Sequence, residues 1–241
     1  AEKNLGKWNA AEDHLQQALT LDSQYLPALL LKGDLALLKE DFEEAIVLAK
    51  ALINALPSTS AGYELLAEAY HHQGRAKEAS GAYEKAFEYE ASAKLAKSLY
   101  FSRLSEGRQQ EAFEPLEKWL SNNPDDVASA RFLANEYLLK GFPLKAIGAY
   151  EQLLQYANQD ILALNNLALL ILEKDPKRSL DLAIKANDLS ANQPKILDTY
   201  ALALAKNGKT QEAIQTFQKA MQLSPNDPEI AAHYTEVYRQ K

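Results

Sequence analysis

Cysteine is absent from all 241 residues, which removes disulfide frameworks, thiolate metal sites and thiol nucleophiles, while fitting either redox compartment. Glycine and proline are scarce, at 9 each. β-branched residues are sparse beside abundant Ala, Leu, Glu, Lys and Gln, so helix is favoured throughout and an all-α class follows. No apolar run approaches the roughly 18 to 20 residues that span a bilayer. Surplus positive charge is missing too: a formal net charge of −7 argues against a general phosphate-binding surface, so nucleic acid is not an expected partner. The opening AEKNLGKWNAAEDHL has neither an initiator Met nor a charged-then-apolar leader. It reads as a piece of a longer protein, with more repeats expected before residue 1 and any targeting signal outside the segment.

Catalytic patterns are also missing. His14, His71, His72 and His233 do not stand at the spacing of a zinc-binding helix, so no metal or other cofactor is expected. His71 and His72 read as cations closing a helix just before Gly74. The pairs Glu43 with Glu44 and Asp125 with Asp126 fall where helices begin, where they favour the helix dipole, rather than forming an acid/base dyad. No Gly-rich phosphate loop, nucleophile elbow or kinase-like set occurs, so an enzyme is not expected here.

What the chain does have is a period. Small residues return at Ala11, Ala45, Ala79, Ala112, Ala146 and Ala213, at intervals of 33 or 34 residues with a final double interval. A turn residue precedes most of them by five: Gly6, Glu40, Gly74, Gly107, Gly141 and Gly208. Glycine there can supply the positive φ that ends a helix. Pro57, Pro124 and Pro225 stand where a second helix must stop. Within a unit the apolar positions follow helical spacing twice, as in Tyr63, Leu66, Ala67 and Tyr70, then Ala79, Tyr83 and Ala86. Each unit is therefore a helix pair. The unit from residue 159 is the least regular, with a turn reading EKDPKRS, which fits an altered loop rather than a broken repeat.

This pattern resembles the tetratricopeptide repeat family, most clearly from Pro194, where Leu197, Tyr200, Ala201 and Leu204 line one helix, Gly208 turns the chain, and Ala213, Phe217, Ala220 and Pro225 complete the next. The resemblance implies a right-handed superhelical solenoid of antiparallel helix pairs. Its parts are a half repeat over 1–23, six units at 24–57, 58–91, 92–124, 125–158, 159–193 and 194–227, and a capping helix over 228–241. Tyr70, Tyr83, Tyr137, Tyr150, Tyr200 and Phe217 fall at packing positions and are expected in the core, and Trp8 and Trp119 lie on second helices.

The resemblance further implies a non-catalytic scaffold that binds a peptide or extended segment in a concave groove. First-helix positions facing that groove include Lys94, Lys97, Arg131 and Lys195, which would make a locally basic trough for an acidic segment. The family's carboxylate clamp overlays Arg131, Asn135, Asn166 and Lys195, with Thr199 in place of a final basic residue. Such a set would neutralise a C-terminal carboxylate and hold a peptide backbone. Asn165, Asn166, Leu167, Ala168, Asp198, Thr199, Pro228, Glu229, Ile230 and His233 are similar to the repeats of bacterial lipoproteins associated with the PEP-CTERM protein-sorting and exopolysaccharide system, although those usually carry Leu-Gly where this chain has Tyr200 and Ala201. That implies a periplasmic or outer-membrane-anchored scaffold in a Gram-negative cell. A cytoplasmic adaptor or co-chaperone, and an oligomerising spacer with no peptide ligand, are the alternatives. Self-association through an uncovered N-terminal half repeat is a further expectation.

Overall fold

The computed structural model describes residues 2–23 and 25–239, with side chains from residue 10 onward except that of residue 11. Among the described residues it is all helix, and the contacts divide it into two compact units, residues 1–122 and 123–241.

The first unit contains α1 (Glu2–Leu21), α2 (Leu26–Leu38), α3 (Phe42–Ala55), α4 (Ser60–His72), α5 (Ala76–Tyr89), α6 (Ala93–Ser105) and α7 (Glu114–Asn122). Each helix packs chiefly on its neighbours in sequence. Asp41 caps α3 by accepting from the Glu44 amide at 3.1 Å, and Ser92 caps α6 by accepting from the Leu95 amide at 3.2 Å. Glu43 and Glu44 do sit in the first turn of α3. The second helix of the last pair starts as a 3-10 turn, Glu111–Phe113, before α7. Pro115 has no amide proton to offer the Glu111 carbonyl, which receives the Arg103 guanidinium at 2.6 Å instead. That buried guanidinium also binds Glu84 at 2.8 Å and Glu114 at 3.0 Å, tying α6 to α5 and α7.

The second unit contains α8 (Val127–Leu139), α9 (Pro143–Tyr156), α10 (Ile161–Ile171), α11 (Pro176–Leu189), α12 (Pro194–Lys206), α13 (Thr210–Leu223) and α14 (Pro228–Arg239). Asp126, Asp160 and Asp175 cap α8, α10 and α11 through side-chain oxygens. α10 is two residues shorter than α8 and α12, and the altered turn ahead of α11 leaves Ala183 and Ala186 buried. Both helices of this least regular unit form. Ser179 compensates there by donating to the Ala168 carbonyl at 2.7 Å in the core.

The recurrent small residues Ala45, Ala79, Ala112, Ala146 and Ala213 are completely buried, because helices cross closely at those points. Ala11 and Trp8 fall outside the described side chains. Tyr83, Tyr137, Tyr150 and Phe217 are buried, while Tyr70 and Tyr200 are half-buried against the core clusters of their units. Trp119 is half-buried. Gly74, Gly107, Gly141 and Gly208 all take positive φ, and Glu40 takes the same conformation at φ 62°. Gly6 does not: it lies inside α1, where the helix continues through the expected turn.

Candidate functional site

The first helices of the second unit, α8, α10 and α12, carry five of the sequence-predicted site residues, and α6 of the first unit carries Lys94 and Lys97. Arg131 and Asn135 are one turn apart on α8 and half-buried; Asn166 is half-buried on α10; Lys195 is exposed at the start of α12.

Arg131, Asn135, Asn166 and Lys195 already hold partners. The Arg131 guanidinium donates through Nε and Nη2 to Asp160 Oδ2, each at 2.6 Å, while the other oxygen of Asp160 caps α10 at the Ala163 amide. The Lys195 ammonium lies 2.6 Å from Glu229 and 3.2 Å from Asp227. The Glu229 hydrogen bond holds its pKa above the ordinary lysine value. Lys94 reaches Glu64 at 2.9 Å and Glu68 at 3.0 Å on α4. Burial works against its charge, but these two carboxylates raise its pKa. Lys97 is half-buried and has a contact of its own. Lys94, Arg131 and Lys195, expected to form a basic trough, are each matched by carboxylates from an adjacent first helix or its cap. Thr199 is buried, and its hydroxyl donates to the Lys195 carbonyl at 3.2 Å within α12, so it contributes no group at the surface.

Asn135 and Asn166 are brought together through a residue the sequence assigns to packing. The Tyr150 hydroxyl, reaching up from α9, donates to Asn135 Oδ1 at 2.6 Å and accepts from Asn166 Nδ2 at 2.9 Å. Burial raises the Tyr150 pKa, so the phenol stays protonated and both bonds persist. Asn165 joins the row by donating to Asn166 Oδ1 at 3.4 Å, and its own Oδ1 is buried without a partner. Beside these amides, Leu139, Leu162 and Leu169 are 76%, 55% and 46% exposed. The arrangement offers oriented amide groups and apolar contact area, the combination that fits an extended polypeptide backbone and its side chains.

A second polar pair ends the unit. Asp198 on α12 is buried and both of its oxygens lie 3.0 Å from His233 Nδ1 on α14. Burial raises the Asp198 pKa and the hydrogen bond from His233 opposes that rise. Among the described residues no group of three or more His, Asp or Glu side chains is placed to hold a metal ion, and no helix is long and apolar enough to cross a membrane. The signal that could have found these partners is the repeat itself. Arg131 and Asp160 are 29 residues apart, Lys94 and Glu64 30, Lys195 and Glu229 34, and Asp198 and His233 35, so each pair joins consecutive first helices or their caps, the last two at about one period and the first two about a helical turn short of it.

Comparison with solved structures returns helical repeat proteins. The MamA protein aligns with a TM-score of 0.57 at 17% identity, over 70% of this chain and 94% of its own. MamA from Desulfovibrio magneticus RS-1 gives 0.54 at 17% identity, over 70% and 97%. PilF of Pseudomonas aeruginosa gives 0.53 at 17% identity, over 89% and 97%. At these identities the likeness speaks to the fold. No curated protein sequence matches the chain significantly. Sequence models described as tetratricopeptide repeat match residues 1–58, 61–92 and 194–227. Repeats of this kind are in general non-catalytic protein-interaction modules. With these matches laid along both units, and helix pairs with the repeat's buried small residues and positive-φ turns between them, the chain belongs to the tetratricopeptide repeat family.

Proposed function

We propose that the chain is a protein-interaction scaffold that holds an extended polypeptide segment along α8, α10 and α12. The observation that carries this reading is the row of amides Asn135, Asn165 and Asn166, fixed by Tyr150 beside exposed Leu139, Leu162 and Leu169. Amide side chains held in place lose little entropy when they bind a peptide backbone.

Capture of an acidic segment or a C-terminal carboxylate is a finer version of the same reading. It requires Arg131 and Lys195 to share or exchange the carboxylates they already hold. Backbone capture needs no such exchange, and we favour it. The repeat limits set out from the sequence belong to this proposal. So does its setting in bacterial envelope sorting or exopolysaccharide export, which the similarity around Asn165, Asp198 and His233 supports.

The test selects ligands from a display library of linear peptides against the full chain, then measures the selected peptide as free acid and as C-terminal amide. Affinity for the wild type is expected to be the same for both forms, and Asn166→Ala and Asn135→Ala are each expected to cost about 1 kcal/mol. Loss of binding on amidation together with loss on Arg131→Ala would establish carboxylate capture instead. Failure to select any peptide, or indifference to both Asn substitutions, would overturn the proposal.

A further inference from the structure

The second unit divides its charge between two edges. The turns from α8 to α9, α10 to α11 and α12 to α13 open on one edge, and the loops leading into each first helix open on the other. In a chain of net charge −7, residues 139–145, 172–178 and 205–212 of the first edge carry seven Lys or Arg against three carboxylates, Glu173, Asp175 and Glu212. The other edge, over residues 123–127, 156–161, 188–194 and 223–229, holds Asp125, Asp126, Asp160, Asp188, Asp227 and Glu229 and no Lys or Arg. Arg131 and Lys195 reach three of these carboxylates from their helices, and that edge stays acidic. On the basic edge Lys140, Lys174 and Lys177 are exposed, and among the described residues their ammonium groups make no ion pair or hydrogen bond. Adjacent turns are tied together there: Asn207 donates to the Pro176 carbonyl at 2.7 Å, and Lys206 pairs with Glu173. The same edge carries apolar surface that the turn does not require. Leu139 and Leu144, 76% and 71% exposed, are the two most exposed large hydrophobic side chains described in the unit, and they flank Gly141. At the other glycine turns these two places hold His72 and Lys77, Ser105 and Gln110, and Lys206 and Gln211, all polar.

We propose that this edge of the second unit lies against an anionic phospholipid surface, with Leu139 and Leu144 entering the headgroup layer and Lys140, Lys174 and Lys177 meeting the lipid phosphates. A flat negative surface suits cations presented by three turns in a row, and it repels the acidic loops at the far ends of the same helices, which sets the orientation. Protruding leucines beside lysines add contact with the acyl boundary to that attraction, a contribution that an acidic protein partner would not draw on. The contact is peripheral, since among the described residues no helix is long and apolar enough to cross a membrane.

This inference goes beyond the peptide-holding reading and does not rest on it. The probe is a vesicle of phosphatidylcholine with about 30% phosphatidylglycerol, set against pure phosphatidylcholine, and binding of the full chain is read by flotation. The chain is expected to float with the anionic vesicles and not with the neutral ones. Joint substitution of Lys140→Gln, Lys174→Gln and Lys177→Gln should weaken partitioning at least about tenfold, and raising salt from about 50 to about 300 mM should weaken it too. Leu139 also borders the amide row, so the apolar part is tested at Leu144, where Leu144→Gln should cost at least about threefold. All four substituted residues are exposed, and an unchanged urea midpoint shows that the fold is intact. Because the chain has no cysteine, Leu144→Cys and Asn158→Cys each accept a single environment-sensitive dye. The dye at 144 should brighten on anionic vesicles, and the dye at 158, in a loop of the acidic edge, should not. No flotation, flotation indifferent to either set of substitutions, or equal brightening at both positions would overturn the inference, as would binding of polyglutamate in place of the vesicles. Asn166→Ala, which tests the peptide-holding surface, should leave flotation unchanged, so the two readings fail separately.

Discussion

The hydroxyl of Tyr150 is where packing and surface chemistry meet. Its ring is completely buried, and its oxygen joins Asn135 to Asn166. Tyr150→Phe keeps the ring and removes both bonds, so it should cost about 1 to 2 kcal/mol in urea unfolding and weaken binding of the selected peptide. A substitution that leaves both unchanged would show that the amides are held in place by something else. Ala146 makes the opposite point: with no exposed surface and close helix crossings around it, Ala146→Leu should destabilise by roughly 1 to 3 kcal/mol through overpacking, read from the same transition. Tyr83 sets a pH limit. Burial, with Glu68 nearby, pushes its phenol up to about 12. The folded state thus holds this proton more tightly than the unfolded chain, whose tyrosines titrate near about 10. Stability from this group is complete below about pH 10 and falls as pH rises toward 12. Wild type should therefore lose more stability than Tyr83→Phe between about pH 9 and 11; equal losses would contradict the assignment.

Helix ends were legible where one residue decides the geometry. Gly74, Gly107, Gly141 and Gly208 terminate helices at positive φ as their spacing indicates, and Glu40 at φ 62° shows that the turn persists without glycine. Glu40→Gly should raise stability by up to about 1 kcal/mol, since an L side chain in that region is strained; a fall in the urea midpoint would show that the Glu40 side chain has a stabilising contact. Gly6 misled because glycine inside α1 is tolerated at modest cost when the rest of the helix continues. The 3-10 start of α7 is not legible in the sequence, although Pro115 stands beside it, because it depends on Arg103 reaching the Glu111 carbonyl from another helix.

At the scale of the whole molecule, what the sequence hid was pairing across the period. Lys94, Arg131 and Lys195 look like free cations one repeat at a time, yet Glu64, Asp160 and Glu229 stand opposite them on an adjacent first helix or its cap. The repeat pattern marks Asn135 and Asn166 as site residues but Tyr150 only as core, because a buried ring gives no hint of where its oxygen emerges. Contacts between sequence neighbours dominate each unit, so stability should be local. The central claim, that α8, α10 and α12 form the peptide-holding surface, is tested most directly by mapping amide chemical shifts of the labelled chain on titration with the display-selected peptide. The account predicts shifts concentrated on those three helices around Asn135, Asn165 and Asn166. Shifts confined to α9, α11 and α13 would contradict it.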